Sequence, residues 1–235
     1  MEDMERYGDY NEVDEAPVSR VKTVGFWLKM LVILSCFAVA AFLGFRIYLF
    51  NYYPDTIKDI YISDNILEYY NEHGSIKPLT QNLRAPYDDA DNANFFCDNL
   101  IVIRECGELQ VSVRFNTSAI ENIEKELSLE GLSPDDTNLF IFRLYKNGET
   151  DSYERVVGRL SEVITDSKLM YRYYKLVFDG IDFGEGEDKI EWIRLEVFVR
   201  GQSSDKPFAM IPIYEDNVNY STFNEYKLSE EDLTR

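Results

Sequence analysis

Between positions 26 and 50 the chain reads FWLKMLVILSCFAVAAFLGFRIYLF, and residues 30–45 within it carry no charge. As a helix, residues 30–45 are roughly 24 Å long and residues 26–50 roughly 37 Å. The hydrocarbon core of a bilayer is about 30 Å thick, so the longer segment spans it with Lys29 and Arg46 near the two interfaces. Long basic side chains reach back to the headgroups, which keeps their insertion cost low. Phe26 and Trp27 stand at one end and Tyr48, Tyr52 and Tyr53 at the other, where amphipathic rings favour the headgroup zone. A helix apolar on every face does not belong on the surface of a soluble domain. Two processing signals compete with an uncut anchor. Ala38-Val39-Ala40 resembles a small-x-small cleavage site, but apolar residues continue past it. Ile33-Leu34-Ser35-Cys36 loosely resembles a lipobox, but the run before Cys36 is short. The expectation is a single uncleaved transmembrane helix over residues 24–53.

Lys and Arg flanking the run set its orientation. Arg20, Lys22 and Lys29 precede it, whereas Arg46 and the more distant Lys58 follow. Acidic residues do not count in this rule, so the acidic first segment leaves the reading unchanged: N-terminus cytoplasmic, C-terminal part extracytoplasmic, at the cell membrane. Residues 1–23 hold many acids and few large aliphatics, and read as a disordered tail. Tyr7 and Tyr10 sit in an acidic context suited to phosphorylation, the one hint of a signalling receptor.

About 180 residues follow the anchor, enough for one domain with a proper core. The formal net charge is -19. An acidic surface repels nucleic acid and anionic headgroups, so nucleic acid is excluded as a partner. Cys97 and Cys106 are expected as separate thiols, because an extended stretch between them holds their Cα atoms beyond the roughly 7 Å limit for a disulfide.

Pro54 interrupts the anchor helix. Residues 55–72 carry an imperfect stripe of Ile57, Ile60, Ile66, Leu67 and Tyr70, with Ser63 able to cap a helix and Gly74 to end one. Residues 54–94 therefore read as a partly helical juxtamembrane stalk and linker. From Phe95 the pattern changes to short strands. Residues 100–106 and 109–115 form a hairpin around Gly107-Glu108, expected as a type II′ turn. In its second strand Leu109, Val111, Val113 and Phe115 alternate with Gln110, Ser112 and Arg114, the pattern of a strand with one wet face. A helix is expected over residues 118–127, opened by a Ser118/Glu121 capping box. Further strands are expected over residues 139–145 and 153–160 around the turn Asn147-Gly148, and over 170–178, 191–200 and 208–214. Pro212 marks the last as an edge strand. Residues 215–235 read as a polar, frayed tail with a short helix near 228–233.

About seven antiparallel strands at this spacing resemble an immunoglobulin-like or fibronectin-like β-sandwich with one short helix, over residues 95–214. The resemblance is architectural: the Cys and Trp spacing of antibody domains is absent. It implies a fold and no function.

Chemistry-bearing motifs are sparse. His73 is the only histidine. No P-loop, G-x-S-x-G or G-x-G-x-x-G occurs. Two acidic clusters have the composition of calcium loops: Asp88, Asp89 and Asp91, and the loop of Asp179, Asp182, Glu185, Glu187 and Asp188. Neither has the EF-hand spacing, so calcium is a candidate cofactor with Asp179, Asp182, Glu185 and Asp188 as ligands. Asn116-Thr117-Ser118 and Asn219-Tyr220-Ser221 are glycosylation sequons, relevant only in a eukaryotic secretory route. If the strands over 170–178 and 191–200 are neighbours, Tyr171 and Tyr173 join Trp192, Arg194 and Phe198 in one outward aromatic and charged face. Those residue types dominate binding hot spots. The expected function is a membrane-anchored binding or scaffold module for a protein or glycan partner outside the membrane. The alternative is a carboxylate-dependent extracytoplasmic enzyme such as a glycosidase.

Overall fold

The computed structural model describes residues 20–83, 95–134, 136–146, 154–184, 190, 192–203, 205–215, 221–222, 226–230 and 232–234. The acidic tail with Tyr7 and Tyr10, the Asp88 cluster, Asn147-Gly148, Glu185, Glu187, Asp188 and Asn219 lie outside these residues. The chain divides into two units, Met1–Tyr52 and Tyr53–Arg235.

In the first unit, α1 (Arg20–Asn51) is one continuous helix. Its stretch Val24–Leu49 has a mean hydropathy of 2.3 over 26 residues, long and apolar enough to cross a membrane. Leu28, Leu31, Ile33, Phe37, Leu43 and Phe45 are all half-exposed or more, and at about 100° per residue they point in all directions around the axis. In water such a surface would be strongly unfavourable at about 25 cal/mol per Å².

The second unit consists mostly of antiparallel strands in two sheets. One has six strands in the order β10-β1-β2-β3-β7-β6, and the other four in the order β5-β4-β8-β9. The strands are β1 (Leu79–Asn82), β2 (Phe95–Ile103), β3 (Glu108–Asn116), β4 (Phe140–Lys146), β5 (Glu154–Val156), β6 (Arg159–Lys168), β7 (Tyr171–Asp179), β8 (Trp192–Val199), β9 (Ala209–Glu215) and β10 (Ser221–Thr222). The two sheets share one hydrophobic core. Leu109, Val111, Val113 and Phe115 of β3 and Tyr174, Leu176 and Phe178 of β7 enter it from one side. Phe140, Phe142 and Leu144 of β4 and Ile193, Leu195, Val197 and Val199 of β8 enter it from the other. Period-2 alternation puts these sets on one face of each strand, and the shared burial selects that face. Edge-to-face rings tie the sheets together, with Phe140 meeting Phe95 at 4.8 Å and Phe115 at 4.9 Å between centroids. Helix α4 (Ile120–Leu127) packs Ile120 and Ile123 onto the same core.

Local signals explain most element ends, and three of them differ from expectation. The β2–β3 connection is a 3₁₀ turn, Arg104–Cys106, closed by Gly107 at φ +60°, rather than a type II′ turn. A Cβ on Gly107 would approach the Ile181 carbonyl oxygen to 2.9 Å, so the position requires glycine twice over. Helix α4 is led by the 3₁₀ turn Thr117–Ala119, and the Asn116 side chain, not a Ser118/Glu121 box, accepts from the Ser118 N–H. The tail is not simply frayed: Ser221 and Thr222 pair with β1, Ile76 bridges Tyr226, and Leu228 is buried. By contrast, β9 with Pro212 does lie at a sheet edge, and Cys97 and Cys106 are both free thiols.

The largest correction concerns the wet face of β3. Gln110, Ser112 and Arg114 are buried, as are Glu108 and Lys175. They are covered by the stretch expected as a stalk. Helix α2 (Asp55–Lys58), an extended run over 59–63, and α3 (Asp64–His73) lie on this sheet and belong to the same unit. Ser63 caps α3 by accepting from the Ile66 N–H at 3.2 Å, and Gly74 ends it at φ 76°. Burial pushes the Glu108 carboxyl above the usual range, partly offset by hydrogen bonds from Ser63 and Gln110. Alternation revealed the two faces of β3 correctly; it could not reveal that the chain's own preceding segment returns to cover the polar one.

Candidate binding groove

The outward face of the four-stranded sheet is built by three strands in register. Ile141 pairs with Phe198, Arg143 with Glu196, and Tyr145 with Arg194. On the other side Glu196 faces Met210 and Arg194 faces Pro212, where the register slips by one residue. Each of these is the alternate position to a core residue, so packing the core of β4 and β8 forces them outward together. All but Pro212 line a groove of about 670 Å³ whose far wall is the β8–β9 loop, with Gly201, Gln202, Asp205, Lys206 and Pro207.

The floor of this groove is charged and internally paired. Arg194 and Glu196 form an ion pair, with side-chain exposures of only 12% and 6%. The Arg194 guanidinium lies over the Tyr145 ring at 5.7 Å, and that of Arg143 over Phe198 at 4.9 Å. These contacts hold both cations against aromatic faces of the same sheet. Ile141 stays 42% exposed beside them. The loop wall is folded back on the sheet by Gln202. Its side chain accepts from the Val199 N–H at 2.8 Å and donates to the Lys206 carbonyl at 2.9 Å. A preformed concave surface with an aromatic, arginine and methionine lining is suited to holding a ligand without first ordering itself.

The expected contact surface is thereby divided. Arg194 and Phe198 belong to the groove, and Trp192 is half-buried farther along β8, opposite Glu215. Tyr171 and Tyr173 do not join them, because β7 and β8 are in different sheets and their outward faces point away from one another. Tyr173 is moreover fully buried, packed edge-on against Tyr53 at 5.2 Å. Tyr171 helps enclose Arg114, whose guanidinium lies 4.7 Å from the Tyr171 ring, 4.8 Å from Phe96 and 5.4 Å from Tyr53. Tyr171 thus packs on a buried cation, and Tyr173 lies in the interior opposite Arg114 in register. Ile141, Arg143 and Met210 were overlooked from sequence. The alternation of β4 places Ile141 and Arg143 outward, but nothing local says that β4 neighbours β8.

Of the candidate calcium ligands, Asp179 is held by Arg159 at 2.9 Å and Asp182 accepts from the Gly184 N–H at 3.0 Å. Among the described residues no three His, Cys, Asp or Glu side chains come together in a way that would hold a metal ion. His73 stacks on Tyr69 with ring centroids 4.0 Å apart, one turn earlier in α3. No protein-family model, curated protein or solved structure matches this chain.

Proposed function

We propose that this chain is a single-pass membrane protein that presents a β-sandwich outside the membrane as a binding or scaffold module, with the groove on the four-stranded sheet as its contact site. The groove itself is the observation that carries this reading. It gathers Arg143, Arg194, Phe198 and Met210 in a fixed concavity, and these are residue types over-represented in interface hot spots and adaptable binding surfaces. A protein partner is favoured over a glycan, because the exposed Ile141 and the half-buried Met210 offer an aliphatic patch beside the cations. Binding is favoured over catalysis because Glu196, the carboxylate of the floor, is already committed to Arg194.

The strand order supports an immunoglobulin-like or fibronectin-like reading of the fold. Taken from β2 onward, β2-β3-β7-β6 over β5-β4-β8-β9 corresponds to A-B-E-D over C′-C-F-G. Strands β1 and β10 are then additions at the edge beyond A. The basic residues before the apolar run support a cytoplasmic N-terminus, which protease treatment of intact cells checks: the outer unit should be lost and the first segment kept.

The direct test places a photo-crosslinking amino acid at Ile141 in the full chain in its native membrane, with Val163 on β6 as the control position. A partner should crosslink at 141 and not at 163. Phe198→Ala and Arg143→Ala should each weaken that partner about tenfold or more with the unfolding midpoint unchanged. Undiminished binding in both variants would remove the groove from consideration. Capture of carbohydrate in place of a protein would move the assignment to a glycan.

A further inference from the structure

A second receptive surface lies on the other sheet, and it is already occupied. Glu108, Gln110, Ser112 and Lys175 project from the outward face of β3 and β7, and all four are buried. Most of their partners are backbone atoms of one short segment. The Ser112 hydroxyl donates to the Ile57 carbonyl at 2.6 Å, and the Lys175 ammonium donates to the Asp59 carbonyl. The Gln110 amide brackets Tyr61, donating to its carbonyl at 2.6 Å and accepting from its N–H at 2.8 Å. Asn99 of β2 adds a bond to the Lys58 carbonyl at 3.3 Å, and the Ser63 hydroxyl meets Glu108. Residues 57, 59 and 61 are thus read through their main chain at alternate positions.

Side chains of the segment anchor it at a few places: the Tyr53 ring packs on Tyr173 and under the Arg114 guanidinium, and Ile60 and Ile62 are partly buried. Ile57 is fully buried, with Tyr53 and Pro54 beside it in sequence, whereas Asp55, Thr56, Lys58 and Asp59 are exposed. Main-chain hydrogen bonds combined with a pocket for an occasional apolar side chain are how protein surfaces take up extended peptides. The segment is also separable from the sandwich. No residue of 53–63 belongs to the core shared by the two sheets. Ile60 and Ile62 pack instead on a smaller cluster of Ile66, Ile76, Ile101 and Ile103.

We infer that the outward face of β3 and β7 is a peptide-receiving site whose resident ligand is the chain's own segment 53–63, and that this segment leaves and returns as a unit while the two sheets stay folded. Local opening of a layer with its own small core needs only a fraction of the free energy of global unfolding. The partner the face fits is the same segment from a second copy: one helical turn after a Pro running into a short extended stretch, with an aromatic ring at the place of Tyr53 and an aliphatic side chain at the place of Ile57. In the intact chain the tethered copy is present at an effective concentration of roughly millimolar, so a free peptide competes poorly until the tethered copy is weakened.

The test uses the full chain in lipid nanodiscs, hydrogen exchange read at Tyr61, Ile66 and Leu195, and a synthetic peptide with the wild-type sequence of residues 53–66. Ile57→Asp should strip protection from Tyr61 and Ile66 by about a hundredfold and leave Leu195 of β8 protected. The peptide should bind that variant at least about tenfold more tightly than it binds the wild type and restore protection around Ser112. Ile57→Ala provides the milder arm, in which Tyr61 exchanges faster and Leu195 does not. If Leu195 loses protection together with Tyr61 in both variants, segment and sheets are one cooperative core and the inference fails. If the segment opens but the peptide does not bind Ile57→Asp at roughly millimolar concentration, the face is a covered surface and not a receptor.

Discussion

Lys175 gives the sharpest test of how the outer layer is built. It is fully buried, and burial pushes its ammonium down from 10.5 to about 8, with the nearby Asp59 charge pulling the other way. The sign follows from proton counting. Below pH 8 the lysine is charged in both folded and unfolded chains, and the full cost of burying the cation is present. Between pH 8 and 10.5 the folded chain has released a proton that the unfolded chain still holds, so stability rises with pH. A depression of that size corresponds to roughly 3 kcal/mol. Other groups obscure it in the wild type alone. Burial pushes Cys97 and Cys106 from 9.0 up to about 12, and Tyr174 from 10.0 to about 12. Each of those holds its proton in the folded chain after the unfolded chain has lost it, and so lowers stability above about pH 9 or 10. The perturbation is therefore Lys175→Met, which keeps the volume and removes the charge, compared with wild type at each pH so that the thiols and phenol cancel. Guanidinium unfolding of the detergent-solubilised chain, with Trp27→Phe in both so that Trp192 of β8 reports alone, gives the two stabilities. The variant's advantage over wild type should be largest at pH 7.5 and shrink by roughly 3 kcal/mol by pH 10.5, a relative midpoint change of about half a molar. A difference that stays constant across this range would refute the burial of a charged Lys175 beneath residues 57–61.

Gln110→Asp tests the same layer from β3. It removes the amide donor to the Tyr61 carbonyl and sets a second carboxylate beside Glu108, so it should lower the unfolding midpoint by the equivalent of about 2–4 kcal/mol, where a wet face would leave it unchanged. Val111→Asp, aimed into the shared core, should abolish cooperative unfolding of the second unit altogether. Gly158→Ala should cost more than Gly180→Ala by calorimetry. Both glycines have positive φ, which costs about 1–2 kcal/mol for alanine, but a Cβ at 158 would also lie 2.8 Å from the Asp179 carbonyl oxygen, while the space around Gly180 is open.

Local chemistry in the chain was enough to determine several elements. The apolar run specified a helix long and apolar enough to cross a membrane, because hydrophobic length is a one-dimensional property. Strict alternation from Leu109 to Phe115, and in Ile193, Leu195, Val197 and Val199, specified strands and their core faces, because side chains alternate with period 2. Pro212 specified an edge, since it has no N–H to give a neighbour. Ser63 and Gly74 specified the ends of α3 through local capping and positive φ. What the sequence left open is everything that depends on which strands meet. Tyr171 and Tyr173 share a strand face with Lys175, and Trp192 shares one with Arg194 and Phe198, but only long-range pairing puts β7 beside β3 and β8 beside β4. The outward faces of β3 and β7 read as wet because Gln110 and Ser112 on one and Lys175 on the other are polar. Their partners are backbone carbonyls and an amide of residues 57–61, atoms that every residue carries and that no side-chain pattern can announce. Tertiary structure decided that this face is buried, and it left the Arg143 and Phe198 groove open on the other side.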